Sequence, residues 1–255
     1  MLRVTGKRAK NVTDESQYSP PSEDASEIHR LPTTAQRMER PGRPGGRRDT
    51  NRREKVRALV DAGLTLFLER GIEATTIDEI AAQAGVAKGS FYRYFASKEE
   101  LTTFLFVDVG ALVRQAFVDC RARLSRSSSF EEITDAYETL GGDLGRALLL
   151  HDREVLLYLQ EARGPAHGAK RPVRALSDEI TEGAYSLTEV GRARGLLKPF
   201  ASKVTAMAVI GAAERLIYGV LSGEDVGDPM TIPQTLSTLI LDGVASPELS
   251  RATKR

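Results

Sequence analysis

Between Thr76 and Phe95 the sequence opens two short helices and leaves almost nothing between them. Thr76 can cap a helix with its hydroxyl, and Glu79, three residues on, can reach back to complete a capping box. Ile77, Ile80, Ala81 and Ala84 supply the apolar face of that helix. Gly85 allows a tight turn, and a further helix is predicted from about Ala87 to Phe95. Before them, Val56, Leu59, Val60, Gly63 and Phe67 follow the i, i+3, i+4, i+7, i+11 spacing of a buried helical stripe, which Gly71 closes. After them, Ser97 and Glu100 form another box and open a long helix to about Leu124. Two short helices joined by a brief glycine-containing turn make a helix-turn-helix.

Sorted at about 100° per residue, the second helix of this pair has two faces. Phe91 and Phe95 anchor one side to the core. Gly89, Ser90 and Arg93 lie opposite, with Lys88 and Tyr92 at one edge and Tyr94 toward the other. Arginine can donate two bonds to guanine O6 and N7, lysine can do the same or pair with phosphate, and glycine lets the backbone come close. Tyrosine hydroxyls commonly position on phosphate. The plain alternative for such a face is a solvated helix surface.

Beyond Ser125 the pattern stays helical. Ser129 with Glu132 opens a helix to about Leu150, and further helices fit 152–163, 170–193, 202–222 and 232–245. Breaks fall at Gly164-Pro165, from Gly195 to Pro199, and from Gly223 to Pro229, and Thr231 with Gln234 forms one more box. No stretch sustains strand alternation, so the expected class is all-α. An N-terminal three-helix helix-turn-helix domain precedes a second helical domain, to which only the family resemblance carried by residues 52–101 assigns ligand binding and dimerisation. The divisions are 1–48, a disordered extension; 49–98, the helix-turn-helix DNA-binding domain; 99–246, the domain to which that resemblance gives effector binding and dimerisation; and 247–255, a tail.

Charge is uneven although the net formal charge is only +1. Asn11 to Glu27 holds five acids and no base, whereas Arg37 to Arg57 holds nine bases against three acids. A basic arm beside a DNA-reading helix favours nucleic acid, although charge runs are most often solvated tails. Uncharged apolar runs fall short of the roughly 18 residues that span a bilayer, so no membrane partner is expected. Met1 to Lys10 is not followed by an apolar segment, so no signal peptide is expected. The single Cys120 cannot form an internal disulfide, which suits a reducing cytoplasm.

An enzyme lacks its parts here. His29, His151 and His167 have no spaced metal-ligand partners, Cys120 has no nearby histidine, and phosphate-cradling glycine loops are missing. No catalytic residue, metal or cofactor is therefore expected.

The run from Arg52 to Leu101, RREKVRALVDAGLTLFLERGIEATTIDEIAAQAGVAKGSFYRYFASKEEL, resembles the signature of the TetR family of repressors. It carries that family's Thr-Thr before the second helix, Ala-Gly-Val turn, Lys-Gly start, Tyr-x-x-Phe end and Lys-Glu-x-Leu opening of the fourth helix. The resemblance implies that Thr76, Tyr92, Tyr94 and Lys98 hold phosphates, while Lys88, Gly89, Ser90 and Arg93 face the major groove. Ala87 stands where many relatives carry serine. The resemblance also implies a homodimer paired through the last two helices. Val204, Ala208, Gly211, Arg215 and Tyr218 of one, with Met207, share a broad face, and Leu236, Leu239 and Ile240 stripe the other.

Tyr137, Tyr158, Gln160, Tyr185 and Met207 are candidates to line an effector pocket, as is His151, for which a helix-capping role weighs more. The expected partners are an operator duplex, a second copy, and a small apolar or amphipathic effector of unidentified structure. The expected function is a ligand-responsive, sequence-specific regulator, a repressor released from a palindromic operator. The alternative is an architectural DNA-binding protein that works without a ligand.

Overall fold

The computed structural model describes residues 46–244 apart from positions 128, 166, 229 and 230. The extension expected over 1–48, except its last three residues, and the tail over 247–255 lie outside the described residues. All regular elements among the described residues are helical. They are α1 (Arg47–Arg70), α2 (Ile77–Gln83), α3 (Lys88–Tyr94), α4 (Lys98–Arg126) and α5 (Phe130–Leu150). After these come α6 (Asp152–Glu161), a 3-10 turn (Gly168–Lys170), α7 (Arg171–Ala193), α8 (Ser202–Leu221) and α9 (Ile232–Val244).

Local signals set most of the boundaries. Thr76 and Glu79 make both halves of their box, as do Ser129 and Glu132. Ser97 accepts from the Glu100 N–H, but the Glu100 carboxylate reaches the Ala96 N–H one residue earlier than a reciprocal box requires. The Thr231 hydroxyl donates back to the Asp228 carbonyl. α1 starts at Arg47, well before the buried stripe that begins at Val56, because no breaker lies between Gly46 and that point. The turn between α2 and α3 takes Gly85 at φ +67°, a left-handed conformation that favours glycine.

Two apolar clusters hold the fold. In the first, Leu59, Phe67, Ile72, Ile80, Phe91, Phe95 and Leu101 are fully buried. Each such side chain contributes about 1.5–3 kcal/mol by leaving water. Gly63 lets α1 approach α4 closely, since a Cβ there would lie 2.7 Å from Leu101 Cδ2. This cluster does not stop at the boundary drawn near residue 98. It continues through Leu105, Phe106 and Val109 of α4 to Leu157 and Tyr158 of α6 and Val173 and Leu176 of α7. The second cluster gathers Cys120, Leu124, Ile133, Ala136 and Leu187 around the far half of α4.

α4 spans about 43 Å at its helical rise, packs against α5 and α7, and is the shared spine of both clusters. Arg194 closes its C-terminus by donating to the carbonyls of Leu124 and Ser127. By length and hydropathy alone α4 and α8 would suit a bilayer. α4 is a core helix, and the apolar surface of α8 is interrupted by Lys203, Glu214 and Arg215.

Candidate nucleic-acid interface

α3 is only seven residues long, so its orientation comes from its neighbours. Phe91 and Phe95 are fully buried with ring centroids 5.7 Å apart, and Phe95 meets Phe104 of α4 edge-on at 5.7 Å. This aromatic anchor leaves Lys88, Gly89, Tyr92 and Arg93 exposed and Ser90 half-buried. No side chain would crowd Gly89, where an added Cβ meets nothing within 4 Å. The N-cap residue Ala87 provides no side-chain cap.

Lys88 bridges the two helices of the motif: its ammonium lies 2.7 Å from Asp78 Oδ1 on α2. The hydrogen bond to Asp78 and its charge raise the Lys88 pKa above the ordinary lysine value. Both groups are largely solvated, so the pair is weak and its lysine can turn to another anion at little cost. Thr76 is exposed at the start of α2, with its N–H and hydroxyl both donating to Glu79 Oε2 at 2.8 Å. Those bonds, the backbone one first, lower the Glu79 pKa, and Arg70 adds its charge at 2.9 Å.

Two expected phosphate ligands are corrected. Tyr94 is only 5% exposed and belongs to the first apolar cluster. It lies three residues after Phe91 and just before Phe95, so it shares their inward arc and leaves Tyr92, 44% exposed, as the outward tyrosine. Lys98 is half-buried, and its ammonium donates to the carbonyls of Ile72, Glu73 and Thr75 at 2.6, 3.1 and 2.8 Å. All three protons are thus spent on the loop between α1 and α2. A cation in the first turn of a helix opposes the helix dipole, and these carbonyls offset that. Burial lowers the Lys98 pKa, against the opposing charges of Glu73, Glu161 and Glu79.

The expected effector pocket also comes apart. Tyr158 is buried in the first cluster and donates to Glu214 of α8 at 2.6 Å. Tyr137 packs against the second cluster. Tyr185 is half-buried beneath Lys203, whose ammonium sits 5.8 Å from the ring centre. Met207 is 64% exposed, because α8 turns the adjacent Ala206 inward. Gln160 alone lines an open groove of about 560 Å³ between α6 and α8, together with Leu159, Arg163, Gly211, Glu214, Arg215 and Tyr218. His151 serves as the C-cap residue of α5 and the N-cap residue of α6. Sequence periodicity gave no sign of Glu214 or Arg163, since the groove depends on how two distant helices approach.

Met207 belongs with the candidate dimer residues. It shares the outer face of α8 with Val204, 67% exposed, and with exposed Ala208 and Arg215. Gly211 and Tyr218 are half-buried at its margin, beside the groove. On α9, Leu239 is 66% exposed and Leu236 half-buried. The side chain of Ile240 lies outside the described residues.

The model of the bacterial regulatory proteins of the tetR family matches residues 59–103. The fatty acid metabolism regulator protein of Bacillus subtilis is 28% identical over 53% of this chain and 71% of its own length. The transcriptional repressor KstR2 of Mycolicibacterium smegmatis is 39% identical over 24% of this chain, which spans only 26% of that relative. The structure of the regulator FadR from Bacillus subtilis in complex with stearoyl-CoA superposes with a TM-score of 0.55 at 14% identity, covering 73% of this chain and 98% of that one. At that identity the likeness establishes the fold.

Proposed function

Because the chain belongs to the TetR family of DNA-binding transcriptional regulators, we propose that it is a homodimeric repressor of a palindromic operator, released by a small amphipathic effector. The observation that carries the reading is the outward face of α3. There Gly89, Ser90 and Arg93, with Lys88, present hydrogen-bonding groups and a close-approach surface over a rigid aromatic anchor. In a major groove Arg93 would address base edges and Gly89 would admit the backbone. Tyr92 and Thr76 would hold phosphates, the latter by exchanging its Glu79 carboxylate for a phosphate oxygen.

One such module buries little surface, so specificity calls for two copies reading half-sites about 34 Å apart. The apolar outer face of α8, with Val204 and Met207, joined by Leu239 of α9, supports pairing through these helices. The effector reading rests on the open groove between α6 and α8 and on the stearoyl-CoA held by a structural neighbour. A carboxylate and two arginines beside apolar wall suit a ligand with one polar end. The same kinship, with relatives named as regulators, supports a cytoplasmic, non-catalytic role.

Enrichment of binding sites from random duplex DNA tests the proposal. A single inverted repeat, bound at least about a thousandfold more tightly than unrelated duplex, is expected. Equal affinity for all sequences, with a steep salt slope, would replace the repressor by an architectural protein.

A further inference from the structure

The loop 71–76 that launches the helix-turn-helix is held from outside the DNA-reading helices. The Ile72 N–H donates to Glu161 Oε1 at 2.9 Å. Glu161 ends α6 and is only 8% exposed, and its Oε2 lies 2.5 Å from the ammonium of Lys170, in the 3-10 turn before α7. On the following peptide unit, across the same Cα, the Ile72 carbonyl accepts from Lys98. The Thr75 hydroxyl donates to the Gly71 carbonyl at 2.9 Å, which tightens the loop further. Gly71 has φ +86°, and a Cβ on it would sit 3.0 Å from Glu161 Oε1. The approach of the carboxylate and the backbone bend therefore both require glycine there.

The other end of α6 is fastened as well. Arg153 donates to Asp61 at 2.7 Å and to Thr65 at 2.6 Å, both on α1. The Arg153–Asp61 pair is solvated and weak, whereas the Glu161 contact is buried and serves a backbone donor. Packing alone could have filled this place, since well-packed apolar residues commonly match a buried ion pair in stability. What an apolar pair could not do is fix the Ile72 amide in one direction.

We propose that Glu161 is a positioning residue for DNA binding: through the Ile72 amide it sets the loop from which α2 and α3 extend. α6 thereby becomes a strut that ties the DNA-reading helices to the wall of the α6–α8 groove. The proposal rests on the DNA-binding reading above.

Two full-length double variants test it, with binding measured to a duplex that the wild-type protein has enriched from random-sequence DNA. E161Q/K170M removes the ion pair but keeps an oxygen for Ile72, whereas E161L/K170M removes both. Both are expected to fold, because the buried charges leave together. The glutamine variant should bind within about threefold of wild type, and the leucine variant at least about tenfold more weakly. The salt slope should not change, since no phosphate contact is touched. Equal binding by the two variants would overturn the proposal.

Should the leucine variant not fold, Glu161→Asp decides, because it keeps the charge for Lys170 but withdraws the acceptor from Ile72 by one methylene. Weakened binding would support the proposal, and wild-type binding would overturn it. A wild-type protein that enriches no sequence would remove the DNA-binding reading and this inference together. Enrichment with indifferent variants would remove only the inference.

Discussion

Replacing Lys98 with methionine separates two roles that the sequence alone could not distinguish. Methionine keeps the length and most of the apolar stem, so the change isolates the ammonium. Its three donations, at 2.6, 3.1 and 2.8 Å, satisfy the carbonyls of Ile72, Glu73 and Thr75. A buried hydrogen bond to a charged group is worth about 1.5–3 kcal/mol. Lys98 is only half-buried, and water can reach the Glu73 carbonyl once the ammonium is gone. The sum therefore reduces to roughly 2–3 kcal/mol in total, not per bond. For a chain of this size that lowers Tm by roughly 5–10 °C. A thermal melt followed by helical circular dichroism at pH 7 measures it, and fluorescence anisotropy with a labelled operator across a salt series gives the complementary reading. A lost phosphate contact would flatten the slope of log K against log salt by about 0.9, whereas a loop clamp leaves it unchanged. An unaltered melting temperature with a flattened slope would refute the reasoning.

Three further outcomes are expected. Ala87→Ser supplies the missing side-chain cap of α3 and should stabilise the protein by about 1 kcal/mol in chemical denaturation; unchanged stability would mean that the helix start does not limit the fold. Met207→Glu puts a charge on the apolar outer face of α8 and should shift sedimentation from dimer to monomer while leaving the helical signal intact; a dimer that persists unchanged would move the interface elsewhere. Cys120 is 2% exposed, and burial pushes its thiol from 9.0 up to about 12, Arg123 opposing slightly. Between those values the unfolded chain releases a proton that the folded chain keeps, so this group's contribution is present below pH 9.0 and lost as pH rises toward 12. The stability lead of wild type over Cys120→Ala should accordingly shrink across that window, and a constant lead would disprove it.

Features that depend on neighbours in the chain were legible before the structure. The Thr76–Glu79 and Ser129–Glu132 boxes form because both partners lie within one turn. The aromatic anchor of α3 was legible for the same reason. Tyr94 shows where that reasoning slipped: it lies only about 60° from Phe91 around the helix, on the buried side. The resemblance assigned it a phosphate, and its angle placed it at an edge of the outward face, but the packing of α3 turns that edge inward. Lys98 failed differently, since its three acceptors are 23 to 26 residues away and come together only when α4 packs beside the 71–76 loop. The pocket residues were chosen by type, yet the groove is defined by the spacing of α6 and α8, which no single helix encodes. Glu161 and Lys170 were invisible for that reason as well, being ordinary charges until the fold encloses them.

The first apolar cluster runs without interruption from Val56 of α1 to Leu176 of α7. A fragment cut after residue 98 would strip this cluster of Leu101, Leu105, Leu157 and Val173, and would present a greasy underside to water. The helix-turn-helix is thus not a cassette that can be lifted off the helices on which it rests. Any chimera that borrows it must also import the matching floor, so changes on the two sides of residue 98 are constrained to travel together.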